Sequence, residues 1–85
     1  MNYPTRKAAR EAIKDLPFRA GDTVRTGTSR YPYDEGPAVT GWVRCFFDRL
    51  APSRHRNDDD NPYMLTAIVV LGDGTEIEAP VVELS

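Results

Sequence analysis

The chain has 85 residues, of which 40% are hydrophobic and 28% charged, a composition typical of one small globular domain and too apolar for disorder. No apolar run approaches the roughly 20 residues of a transmembrane helix, and no apolar segment follows the first basic residues as a secretory signal requires, so we expect a cytoplasmic protein. A formal net charge of −2 indicates neither a general nucleic-acid binder nor a membrane-surface protein.

The charges are segregated along the chain. Residues 1–16 carry four bases and two acids, and residues 17–56 carry seven arginines and four acids. Residues 57–85 contain seven acids and no base. We therefore expect a domain with one acidic edge and one arginine-bearing edge.

Residues 5–16 predict a helix. Thr5 can cap its start, and Pro17 ends it because a proline ring disfavours helical geometry in the residue before it. An apolar stripe at helical spacing consists of Ala9, Ala12, Ile13 and Leu16. The stripe is narrow, so we expect this helix to dock on another surface rather than to stand alone.

Five short strands are predicted after the helix, at residues 23–26, 39–47, 63–71, 75–79 and 81–84. Two long polar loops separate the first three strands, and a tight hairpin at Gly72, Asp73 and Gly74 joins the third to the fourth. Pro80 interrupts the ladder, so the last strand is expected to be a short edge strand.

The second predicted strand is apolar on both faces. Strict alternation places Val43, Cys45 and Phe47 on one face, and Trp42 on the other. This pattern indicates a strand that is covered on both sides or bent, and Gly41 is a candidate for the bend. Because Cys45 alternates with Val43 and Phe47, we expect its thiol to pack in the core.

This order of elements predicts a mainly β fold with an N-terminal α-helix, in which residues 18–85 form a small antiparallel barrel of about five strands after a helical segment at residues 1–17. The string from Phe18 to Arg25, which contains Gly21-Asp22-Thr23-Val24, resembles the opening strand of SH3-like barrels of the Tudor and KOW types. The resemblance implies an SH3-like barrel, and barrels of this type serve many unrelated functions.

The Arg30-Tyr31-Pro32-Tyr33 segment, followed by Gly36, is similar at fold level to the SH3-like domain of the nitrile hydratase β subunit. In that family the catalytic metal is held by the other subunit.

No catalytic set is evident in the sequence. Cys45 and His55 are the one possible nucleophile–base pair, but a catalytic thiol needs a partly exposed, thiolate-stabilising setting. The consecutive Asp58, Asp59 and Asp60 lack the alternation, the glycine turn and the final glutamate of a calcium loop. We therefore expect that the protein is not an enzyme and that it binds no metal ion or cofactor. We also expect Asp58, Asp59 and Asp60 to lie in a solvated loop.

The leading hypothesis is a non-catalytic protein-binding module that acts as an adaptor, accessory subunit or inhibitor. Loop aromatic residues beside carboxylates are the means by which SH3-type domains receive peptides, and Tyr, Trp and Arg dominate protein interfaces. The predicted partner-binding residues are Tyr31, Tyr33, Asp34, Glu35, Trp42, Arg30 and Arg44. The alternative for the two tyrosines, equally supported by the sequence, is that their rings cover an undersized core.

The second hypothesis is a nucleic-acid-binding barrel, because arginine and aromatic side chains hold single strands in such folds. The residues concerned are Arg25, Arg30, Arg44, Arg49, Arg54 and Arg56, with Tyr31, Tyr33, Trp42 and Phe46. The acidic last third opposes this hypothesis, since its strands must pair with the arginine-bearing ones.

A short, arginine-rich and lysine-poor chain is also compatible with a protein encoded by a phage or mobile element.

Overall fold

The computed structural model describes residues 2–31, 34–51 and 61–85, with Asp34 described by its backbone alone. Helix α1 spans Arg6–Ala12 and continues as one 3-10 turn at Ile13–Asp15. The hydroxyl of Thr5 accepts a hydrogen bond from the backbone N–H of Ala8 at 3.1 Å, so the predicted cap is confirmed.

Within the described ranges, six strands follow the helix. Their bounds are β1 Thr23–Arg25, β2 Ser29–Arg30, β3 Asp34–Glu35, β4 Thr40–Leu50, β5 Tyr63–Leu71 and β6 Glu76–Pro80. Four of the predicted strands correspond to β1, β4, β5 and β6, and the hairpin of β2 and β3 lies inside a segment that the sequence predicted as loop. The strand predicted at residues 81–84 is wrong, because Val81–Glu83 form a 3-10 turn after Pro80.

The antiparallel sheet has the order β1-β4-β5-β6 and curls into a half-barrel. Past β6, the 3-10 turn brings the chain end back to β1. There the backbone groups of Arg25 and Ser85 exchange two hydrogen bonds, each of 2.9 Å, and Gly27 donates to the carbonyl of Glu83 at 2.7 Å. The mainly β, antiparallel fold expected from the sequence is therefore confirmed, with closing contacts made by the C-terminal residues.

The concave side of the sheet, here called the inner face, holds the apolar core. Its buried members are Val24, Val43, Ala67, Val69, Ile77, Ala79 and Leu84. Helix α1 packs against β4 and β5 with Ala9 fully buried. The N-terminal chain is tied to the sheet by Tyr3, whose backbone groups exchange hydrogen bonds with those of Tyr63. The helix thus docks on its own sheet.

A β-bulge at Arg44 decides which side chains of β4 reach the core. Val43 lies opposite Val69, but Cys45 lies opposite Ile68, so one extra residue stands between them. Beyond the bulge the alternation is reversed. The prediction that Cys45 packs in the core is wrong: its side chain lies on the convex, outer face and is exposed.

Gly41 marks a close approach between strands, while the irregularity of β4 lies at Arg44. A Cβ atom at Gly41 would lie 2.5 Å from the carbonyl oxygen of Val70 and 2.7 Å from Cγ1 of Val69. Both contacts are far inside van der Waals distance, and one is with backbone that cannot turn aside. The two strands can therefore pair at this spacing only with glycine at this position.

We expect Gly41→Ala to lower the free energy of unfolding by about 1–3 kcal/mol, because the added methyl group forces β4 away from β5. Urea denaturation measures this change. The matched control is Gly72→Ala in the hairpin, where nothing lies within 4 Å of the added Cβ, and it should alter stability by less than about 0.5 kcal/mol. Equal effects of the two substitutions would contradict the close approach.

Candidate functional site

One row of side chains crosses the outer face from strand to strand. Cys45 lies opposite Ile68, Ile68 opposite Glu78, and Glu78 opposite Tyr31. Tyr31 is held in this row by its backbone, which exchanges hydrogen bonds of 2.8 and 2.9 Å with Glu78. Directly opposed residues in antiparallel strands share a face, so these four side chains stand together.

A second row runs beside the first. It consists of Trp42 on β4, Val70 on β5 and Glu76 on β6. Trp42 is 46% exposed and Tyr31 is 57% exposed. We call the two rows, with Arg44 and Arg49, the outer-face surface; its members are Tyr31, Trp42, Arg44, Cys45, Arg49, Ile68, Val70, Glu76 and Glu78.

Two ion pairs cross this surface. Arg44, the bulge residue, donates to both carboxylate oxygens of Glu76 at 2.8 and 3.0 Å. Arg49 lies 3.5 Å from the carboxylate of Glu78, and its guanidinium carbon is 5.3 Å from the centre of the Tyr31 ring. The Arg44–Glu76 pair is exposed and the Arg49–Glu78 pair is half-buried. Surface pairs of this kind stabilise a fold by about 1 kcal/mol or less, but they fix the positions of the groups involved.

The outer-face surface brings together three of the predicted binding residues: Tyr31, Trp42 and Arg44. The Tyr31 ring, being exposed, does not cover the core. Glu35 is exposed on β3, opposite Ser29 in the small hairpin, and belongs to neither row.

Arg30 does not share the outer-face surface. It is only 7% exposed, and its guanidinium packs beside Gly36, where an added Cβ would lie 2.9 Å from one terminal nitrogen. Consecutive residues of an extended chain point to opposite sides, so Arg30 turns inward where Tyr31 turns outward. Tyr33 and the side chain of Asp34 lie outside the described residues.

Several members of the outer-face surface were not among the predicted binding residues. Ile68 and Val70 alternate with the core residues of β5, and the outward direction of Glu76 and Glu78 follows from the buried Ile77 between them. These four could have been found from period-two alternation. The outward position of Cys45 could not, because it depends on the bulge.

Asp48 forms a separate cluster on the inner face, at the helix. Its side chain is 8% exposed and accepts a hydrogen bond from Nε of Arg10 at 2.9 Å, and Arg6 lies at 3.6 Å. The hydrogen bond from Arg10 holds the pKa of Asp48 below its ordinary value, against the opposing effect of desolvation. This cluster fastens α1 to β4 and offers no free acid or base for catalysis.

No group of three or more histidine, cysteine, aspartate or glutamate side chains is placed to hold a metal ion among residues 2–31, 34–51 and 61–85. His55 and the three consecutive aspartates Asp58, Asp59 and Asp60 lie outside these ranges. No helix in the described part of the chain has the length and apolar character needed to cross a bilayer. Comparison with known protein families, curated proteins and solved structures finds no match for this chain.

We expect Asp48→Asn to lower the free energy of unfolding by about 1 kcal/mol at neutral pH, because it weakens the attachment of α1. The folded-state pKa of Asp48 is below its ordinary value of 3.8. The stabilisation is therefore present above about pH 4 and is lost as the pH falls through the lower, folded-state pKa. Urea denaturation between pH 7 and pH 2 measures both effects.

In that experiment the difference between wild type and Asp48→Asn should shrink at acid pH. Glu11→Gln, which changes an exposed carboxylate of the same helix but leaves the Asp48 cluster intact, is the matched control and should behave like the wild type. A constant difference across the whole pH range would contradict the ion-pair origin of the effect.

We expect the thiol of Cys45 to react with one equivalent of an aromatic disulfide reagent in the folded protein, because the side chain is exposed on the outer face. The measurement is the absorbance of the released thiolate, with and without denaturant, and Cys45→Ser supplies the blank. Reaction only after denaturation would contradict this position.

Proposed function

We propose that this protein is a non-catalytic protein-binding module, acting as a small adaptor, accessory subunit or inhibitor, and that the outer-face surface meets the partner. The observation that supports this most is the joint exposure of Trp42 and Tyr31 on one face of the sheet. Large aromatic rings beside arginine are the usual anchors of protein interfaces. Between them, Ile68 and Val70 supply an apolar floor, and the Arg44–Glu76 and Arg49–Glu78 pairs supply a polar border.

We further propose that the half-barrel is of the SH3-like type. The element order supports this assignment: a short strand β1, a long connection that contains the β2–β3 hairpin, the long strands β4 and β5, a tight turn into β6, a 3-10 turn, and C-terminal residues that bond to β1. Barrels of this type serve many unrelated functions, so the proposed function rests on the outer-face surface and not on the fold type.

The arrangement of charge favours protein over nucleic acid as the partner. Arg44 and Arg49, two of the arginines in the nucleic-acid hypothesis, are each paired with a glutamate of β6. Phosphate binding at these positions would have to displace those carboxylates or bring phosphate beside them. A protein surface that carries charges of both signs can lie against these residues without that electrostatic repulsion.

The test is affinity capture from the native host with tagged wild type and the double variant Tyr31→Ala/Trp42→Ala. We expect loss of the specific partner, or at least a tenfold weaker affinity once the partner is purified, because two interface anchors are removed. Val82→Ala is the matched control: Val82 is 68% exposed but lies on the C-terminal 3-10 turn, away from both rows.

Identical partner lists for the double variant and wild type would contradict the role of the outer-face surface. A labelled single-stranded oligonucleotide, titrated at two salt concentrations, examines the second hypothesis directly. Binding that weakens steeply as salt is raised would favour nucleic acid instead.

A further inference from the structure

The backbone of β4 beyond the bulge has an open edge. The backbone N–H and C=O of Tyr63 are both hydrogen-bonded to Tyr3 and not to β4. Because Leu50 lies opposite Tyr63, its own backbone N–H and C=O point away from β5. Hydrogen-bonded and non-hydrogen-bonded pairs alternate along an antiparallel ladder. The N–H and C=O groups of Phe46, Asp48 and Leu50 therefore all point to the side that β5 does not occupy.

Among the described residues, no neighbouring strand pairs with these groups. β1 pairs with Thr40–Trp42, and Gly21 and Asp22 bond to the backbone of Val43. Within the described ranges no backbone group bonds to the outward N–H and C=O of Phe46, Asp48 or Leu50.

The charged side chains of this edge are engaged within the chain itself. Natural edges are guarded by charged side chains, prolines, β-bulges, inward-pointing charges or covering elements, and β4 carries a bulge at Arg44 and Asp48 on its inner face. Each charged side chain of β4 is nevertheless paired inside its own chain: Arg44 with Glu76, Asp48 with Arg10, and Arg49 with Glu78. Leu50, at the end of the edge, is 52% exposed.

The edge is also complementary to itself. Phe46 and Leu50 are apolar, both have inner-face side chains, and they lie at equal distances in sequence on either side of Asp48. A twofold axis at Asp48 would set Phe46 of one copy opposite Leu50 of the other, twice. The two Asp48 carboxylates at the axis are each bound by arginine already, and Arg10 remains 63% exposed, with further N–H donors to share between them.

We propose that two copies of this chain pair through residues 45–50 of β4, antiparallel and centred on Asp48, to form one continuous sheet. The contact is short, so we expect a weak dimer that forms only at high protein concentration. This second surface lies at the edge of β4 and does not depend on the partner proposed for the outer face.

The test measures the molecular mass of the chain by sedimentation equilibrium at concentrations up to about 1 mM, because a small interface associates only when the protein is concentrated. Hydrogen exchange is measured in parallel. We expect a shift from monomer to dimer with concentration, with the amides of Phe46, Asp48 and Leu50 becoming protected only as the dimer forms.

Leu50→Pro removes the outward N–H and no hydrogen bond of the β4–β5 ladder, because that amide faces away from β5. It should weaken dimerisation at least tenfold, whereas Leu50→Val, which keeps the N–H and an apolar side chain, should change it less than about threefold. Leu50→Lys, which places a charge opposite Phe46 of the second copy, provides the same test if the proline variant fails to fold.

Three outcomes would overturn the proposal. The first is a monomer up to the highest concentration, with the three amides exchanging freely. The second is a dimer that survives both Leu50→Pro and Leu50→Lys but dissociates in Tyr31→Ala/Trp42→Ala, which would place self-association on the outer-face surface. The third is protection of the three amides in a monomer on addition of another protein, which would make that protein the occupant.

Discussion

The extra residue in β4 is the constraint on which the rest of the structure depends. Because Arg44 stands between two registers, Val43 and Phe46 both face the core, although they are three residues apart. A regular strand would keep Val43 and Cys45 on the same side and turn Phe46 outward. Because of the bulge, the Cys45 thiol lies on the outer face and the Phe46 ring lies on the inner face.

The bulge also separates two lengths of β4 with different surroundings. Before it, the strand lies between β1 and β5; after it, β5 is the one strand among the described residues that pairs with it. The side chain of Arg44 lies on the outer face and pairs with Glu76, while Asp48 on the inner face pairs with Arg10 of the helix. One irregularity thus produces a closed, paired half and an open half of the same strand.

Local patterns were enough to predict most of the fold. The cap at Thr5, the bounds of β5 and the hairpin, where Gly74 has a φ of 87°, all follow from residue types at short spacing. The bulge could not be read in this way, because apolar residues occupy both faces of β4 and either alternation satisfies them. The residue types of Tyr31 and Trp42 predict them as partner contacts. Their position beside Ile68 and Val70 depends on the register between strands, which local patterns do not determine.

The large aromatic rings of Tyr31 and Trp42 are exposed, whereas the buried core consists of small residues. Its buried members are mostly valine and alanine, and burial of a large side chain would add roughly 1.5–3 kcal/mol to the stability of so small a domain. Backbone pairing of Tyr31 with Glu78 nevertheless holds one ring outward, and the position of Trp42 across β5 from Glu76 holds the other. A fold selected for stability alone would gain by turning these rings inward. Their outward positions, bordered by the Arg44–Glu76 and Arg49–Glu78 ion pairs, are the features on which the proposed protein-binding surface is based.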